Sequence, residues 1–147
     1  MTYGYLQSRL RYGWYDIVKR YVDKQGKYAA QLKTFLPMLK LVKGGSCRDY
    51  HAIRTDVIKF LKPLLVKAAN EDPKMQQAQL EYFYKDYINP AFRWCKSQGY
   101  TSPVTQLVVA NLFVNSGVAG GKRRLLAHRG RTGNELKDID TFCVWQA

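Results

Sequence analysis

Acidic residues are scarce in this 147-residue sequence: 11 Asp and Glu stand against 24 Lys and Arg, a formal net charge of +13. That shortage narrows any proposal of general acid–base chemistry, which rests largely on carboxylates and histidines. There are only two histidines, His51 and His128, and neither has a neighbouring cysteine or carboxylate cluster, so both are expected to be ordinary exposed side chains. Cys47, Cys95 and Cys143 show no paired metal-ligand spacing. An odd count cannot close a disulfide framework, so free thiols and no bound metal are expected. The sequence has no Gly-rich phosphate loop before a helix, no HExxH, no CxxC and no GxSxG, and no cofactor is expected. Its apolar runs fall short of the roughly 20 residues a membrane span requires. Met1-Thr-Tyr-Gly lacks both the basic and the apolar region of a secretory signal. No membrane is therefore expected among the partners, and the cytoplasm is the default site of synthesis. The period-two alternation of half-buried strands is missing as well.

What is present is 46% hydrophobic residues, enough for one domain, 1–147, with a proper core. The positive field attracts polyanions as a class, such as nucleic acid, teichoic-type wall polymers or anionic membranes. Lys122, Arg123, Arg124, Arg129 and Arg131 form a run with no acid among them. Such a run is a solvated face or a contact for phosphates or another polyanion. It lacks the interleaved aromatics that would stack on single-stranded bases.

The chain reads as organised around Ser102–Gly117, SPVTQLVVANLFVNSG. Its apolar residues point to nearly every side, the mark of a buried helix. Ser102 suits the N-cap, Pro103 the first helical position and Gly117 the stop. Gln106, Asn111 and Asn115 would then be buried amides, either satisfied within the core or lining a cleft. Around this helix the 3.6-residue period predicts others. One follows Gly13, with Trp14, Ile17, Val18, Tyr21 and Val22 inward, and ends at Gly26. Lys27–Val42 is next, broken or kinked at Pro37, and then Asp56–Ala69, with a start or kink at Pro63. Asp72-Pro73 pairs a cap with Pro at the first position. It opens a helix to Gln98 that kinks near Asn89 and closes at Gly99. Val118–His128 reads as a short helix. Asn134 caps the last one, Glu135–Gln146, with Leu136, Ile139, Phe142 and Trp145 inward. The fold class is all-α, with six or seven helices. Asp49, Asp56, Glu81 and Asp86 are expected in surface ion pairs.

TYGYLQ at Thr2–Gln7, followed by WYDIVKRYV, resembles the region after the active-site loop of family-46 glycoside hydrolases, the chitosanases and relatives of the lysozyme-like superfamily. The similarity continues through AAQLKTFLPML, DPKMQQAQLEYFYKDYINPA and LVVANLFVNSG, and more weakly into NELKDIDTFCVW. Nearly the whole chain is covered, in the family's order. The resemblance implies a lysozyme-like helical fold around the Ser102–Ser116 helix and endo-hydrolysis of chitosan with inversion. That chemistry needs an acid and a base roughly 6.5–9.5 Å apart. In the family the acid is a Glu on the first helix, and the base is an Asp shortly before the motif that begins here at Thr2. Both would lie upstream of Met1. The chain is thus expected to be N-terminally truncated and inactive by itself, with an upstream segment or second chain completing the fold.

Thr2 matches a threonine that helps orient the attacking water. Tyr3, Gln7, Asn111 and Asn115 are the implied substrate contacts. The family typically carries an Asp where this chain has Asn111, a His near Asn115, and an Arg near Phe142 and Cys143. Both charged partners are missing here, a paired loss that makes sense in a core, where either charge alone would be costly. Chitosan is a polycation that a +13 surface should repel. Anionic peptidoglycan is the better electrostatic match, so a peptidoglycan hydrolase or cell-wall-binding domain is one alternative. A basic polyanion- or nucleic-acid-binding module is the other.

Overall fold

A computed structural model describes residues 2–3, 8–9, 13–43, 53–128 and 132–146. They are almost entirely helical and fall into two compact units, Met1–Tyr82 and Phe83–Ala147.

The first unit begins with a feature that the sequence pattern misses. Strands β1 (Thr2–Tyr3) and β2 (Ser8–Arg9) pair antiparallel, with Thr2 opposite Arg9 and Tyr3 opposite Ser8. Two residues per strand are too few to show any period. Helix α1 (Tyr15–Asp23) buries Ile17, Val18 and Tyr21, and Trp14 is buried just before it. The expected Lys27–Val42 helix is in fact two, α2 (Ala29–Lys33) and α3 (Leu36–Val42). Thr34 and Phe35 separate them, and Pro37 lies in the first turn of α3, where its missing N–H is tolerated. Helical residues 53–56 lead into a π-helical stretch, Val57–Leu61, and then α4 (Lys62–Glu71), with Pro63 near its start. Val57, Leu61, Leu65 and Ala68 form its buried side. Helix α5 (Pro73–Phe83) starts at Asp72-Pro73 as expected, and the Asp72 carboxylate accepts the Lys74 amide at 2.9 Å.

The chain continues through a π-helical stretch, Tyr84–Ile88, into α6 (Asn89–Ser97). The irregularity expected near Asn89 is thus a widened turn just before Pro90. Helix α6 closes at Gly99. Helix α7 (Pro103–Ala127) is interrupted at Gly117, whose φ of 71° and ψ of 157° belong to a region essentially reserved for glycine. The stop at Gly117 and the helix beyond it are therefore both present. By length and composition α7 could cross a membrane, but the interruption leaves segments 103–116 and 118–127, each short of the roughly 20 residues required. Helix α8 (Glu135–Gln146) has the expected bounds, and Asn134 Oδ1 accepts the Lys137 amide at 3.1 Å as its cap. The core of this unit joins Ala91, Trp94 and Cys95 of α6 to Val109, Ala110, Leu112, Phe113 and Leu125 of α7 and Phe142 of α8. Trp94 meets Phe113 edge-on at 6.5 Å.

The expectation that the Ser102–Gly117 helix is enclosed on every side is corrected. Thr105, Val109, Ala110, Leu112 and Phe113 are buried, but Val104 is 57% exposed and Leu107 66%. The first part of α7 is a one-sided core helix whose outer face is also apolar. Composition alone cannot separate that case from full burial. Leu136, expected inward on α8, is exposed, while Ile139 and Phe142 are buried as expected. The side chain of Trp145 lies outside the described residues.

Candidate functional site

Thr2 and Tyr3, the candidates for orienting water and contacting substrate, lie on β1, with their side chains outside the described residues. Gln7, Arg129, Arg131, His51, Cys47 and Asp49 also lie outside them. The remaining candidates gather on one element, α7. Asn111 and Asn115 are one turn apart, and the Asn115 amide nitrogen donates to the Asn111 carbonyl and side-chain oxygens at 3.0 and 3.1 Å. Both are exposed, so they are not the buried amides that the sequence suggested. A charge at position 111 would therefore lie in water and not in a core, whereas one at Phe142, which is 3% exposed, would be buried. Gln106, half-buried, donates weakly to the Thr101 carbonyl at 3.5 Å. Lys122, Arg123 and Arg124 follow in the second segment of α7, all exposed. Asn111, Asn115 and these three cations thus share a helix, divided by Gly117, with the amides on one segment and the charges on the other.

His128 is half-buried, its ring edge-on to Phe142 at 5.6 Å, which corrects the expectation of an exposed histidine. Cys95 and Cys143 are free, as expected; burial pushes the Cys95 thiol up to about 11.

The decisive chemistry lies in the carboxylates. Ten of the eleven are described, and most of them accept from backbone amides or hydroxyls or pair with neighbouring cations. Asp72, 7% exposed, accepts the Tyr21 hydroxyl at 2.7 Å, the Lys27 amide at 2.6 Å and the Lys74 amide at 2.9 Å. Burial alone would raise its pKa, but these donors outweigh burial and hold it below the usual carboxylate range. Burial, together with the same hydrogen bond to Asp72, pushes Tyr21 up to about 12. Glu135 accepts the Thr101 and Ser102 amides at 2.9 and 2.8 Å, and these donors likewise overcome its burial and lower it. It thereby takes the capping role expected of Ser102, whose own side chain makes no cap bond. Asp138 accepts the Thr132 amide and hydroxyl at 2.6 and 2.8 Å.

Asp16, Asp23, Glu71 and Glu81 pair with Lys43, Lys19, Lys27 and Lys24. The Glu81 pair was expected. Glu71 also accepts the Tyr28 hydroxyl, and Lys27 with that hydroxyl lowers its pKa. Asp56, Asp86 and Asp140 are exposed. Glu71, Asp72 and Glu135 are thus each held below the usual carboxylate range. A glycosidase acid needs the opposite, a carboxyl raised enough to hold its proton.

Searches against protein-family models, curated proteins and solved structures found no match to this chain.

The signal that sequence reasoning missed lies on the helix spanning 53–71, whose apolar period drew attention to its inner face. The outer face carries Lys59, Phe60, Lys62, Val66 and Lys67, all exposed, with the Lys59 ammonium 5.2 Å from the Phe60 ring centre.

Proposed function

We propose that this chain is a chitosanase-like glycoside hydrolase domain that engages chitosan or a related amino-sugar glycan. The reading is carried by the ordered resemblance from Thr2-Tyr3-Gly4-Tyr5-Leu6-Gln7 through Asn134–Trp145. The all-α architecture is compatible with it. Within the described residues we assign the role of holding glycan: the buried carboxylates, Asp72 and Asp138, are taken up by backbone amides and neighbouring hydroxyls. Inverting hydrolysis would need an acid and a base from elsewhere. Asn111 and Asn115 offer exposed amide groups of the kind that pair with sugar hydroxyls. Peptidoglycan suits the net charge better than chitosan, so both belong in the test. The expected result is retention of the protein on at least one insoluble glycan with no reducing ends released above buffer. Release would show that this chain holds a competent carboxylate pair. Absence of retention on either glycan would remove the glycan reading.

The net charge of +13 and the exposed cations of α7 favour a second reading, a basic polyanion-binding module. Retention on a polyanion would then fall steeply between about 50 and 200 mM salt. Retention that ignores salt would argue against it.

A further inference from the structure

We propose that the outer face of the helix spanning 53–71 is a docking surface for an anionic lipid bilayer, separate from the glycan reading and from the α7 cations. Val57, Leu61, Leu65 and Ala68 turn inward, and this fixes what the same helix must show outside. Phe60 is 52% exposed and Val66 43%, with Pro63 also exposed between them. Other large apolar side chains, such as Leu41 and Leu107, are more exposed; what marks Phe60 and Val66 is the lysines set among them. Lys59 and Lys62 are interleaved with them, and Lys67 follows with its ammonium 5.4 Å from the Tyr28 ring centre. No acid occurs from Val57 to Asn70, and Glu71, one turn beyond Lys67, is paired with Lys27. Arg54 adds a further exposed cation one turn earlier, beside Asp56.

A row of apolar side chains set among lysines is the pattern of a surface that rests on a bilayer. The apolar groups enter the boundary between headgroups and acyl chains, and the lysines lie among anionic headgroups. Two features separate this partner from nucleic acid. The face carries a single ring, Phe60, which could stack on one base, whereas Pro63 and Val66 have no π face for a second. Its three central cations are lysines, point charges without the planar fork that makes arginine a phosphate reader. This is a peripheral contact. It requires no membrane-spanning segment and leaves α7 in its core role.

The test is co-sedimentation of the full chain with vesicles of phosphatidylcholine alone and with 30% phosphatidylglycerol (about one anionic lipid in three). Binding is expected to the anionic vesicles at low salt, weakened at physiological salt, and not to the neutral ones. Each of Lys59→Gln, Lys62→Gln and Lys67→Gln should weaken partitioning about fivefold. Phe60→Ala should weaken it further without altering the circular dichroism spectrum, since the side chain is exposed. Lys33→Gln and Lys40→Gln, exposed cations of α2 and α3 rather than of this helix, serve as matched charge controls and should weaken it less. Three results would overturn the proposal: no sedimentation with anionic vesicles at low salt; equal losses in the control and patch variants; or capture of single-stranded DNA that the patch variants abolish while vesicles are ignored. The last would assign the face to nucleic acid.

Discussion

Replacing Asp72 by alanine should unfasten the first unit. The carboxylate serves three donors from three places in the chain: the Tyr21 hydroxyl, the Lys27 amide and the Lys74 amide. The Tyr21 oxygen in turn accepts the Tyr28 amide at 2.9 Å, so the start of α5, the last turn of α1 and the turn before α2 meet at one group. Losing the cap costs about 1 kcal/mol, and stranding the buried phenol and the Lys27 amide adds about 1 kcal/mol or more each. The sum, about 3 kcal/mol, is a large part of the roughly 5–15 kcal/mol that holds a domain together. Urea unfolding reads it directly. Trp14 is buried in this unit, so its fluorescence reports the unit once Trp94 and Trp145 are replaced by Phe in both proteins. With an m-value of about 2 kcal/mol/M the midpoint should fall by about 1.5 M. A fall below about 0.3 M would refute the reasoning, because the three donors would then have found water or other partners at no cost.

Four further outcomes follow from the same geometry. Stability should be lost at both ends of the pH scale: Asp72, Glu71 and Glu135 are lowered on folding, so their contribution is complete above their unfolded pKa values near 4 and disappears as pH falls through the folded ones. Tyr21 is raised to about 12, so its contribution holds below pH 10 and is lost from 10 to 12; thermal melts across pH 2–12 that stay flat at either end would contradict this. Gly26→Ala should destabilise by at least 1–3 kcal/mol, about the cost of overpacking, because a Cβ would lie 2.2 Å from the Tyr21 ring; a neutral melt would show that the ring can move aside. Glu135→Ala should lower the second unit's stability by about 1–2 kcal/mol through loss of the Thr101 and Ser102 acceptor, followed by Trp94 fluorescence. Finally, Leu107→Ser should change stability by no more than about 0.5 kcal/mol while Phe113→Ala costs about 3–5 kcal/mol, and equal effects would restore a helix buried on all sides.

Much of the fold was legible because local chemistry governs it. Asp72-Pro73, Gly99, Gly117 and Asn134 each mark a helix boundary by a property of one or two residues, and each boundary lies where those residues place it. The departures come from information that is not local. Ser102 looks like a cap, but Glu135, 33 positions later, delivers a carboxylate to the same amides and displaces it. Leu107 and Leu136 are as hydrophobic as their buried neighbours, and only the packed arrangement decides which face turns outward. Likewise, the Lys59–Phe60 face was hidden by the stronger apolar period on the other side of its helix. The candidate glycan residues were named from resemblance. The structure adds that Asn111 and Asn115 are exposed and mutually bonded.

Whether the chain holds glycan without cleaving it is tested by an NMR titration of the labelled chain with short chitosan and peptidoglycan-type oligomers, with the sugar anomeric signals followed in the same tube. Amide resonances that include those of Asn111 and Asn115 should shift, with the anomeric signals unchanged over days. New anomeric signals from cleaved sugar would contradict the assignment of the described carboxylates to purely structural work. A spectrum unmoved by either glycan would contradict the glycan reading itself.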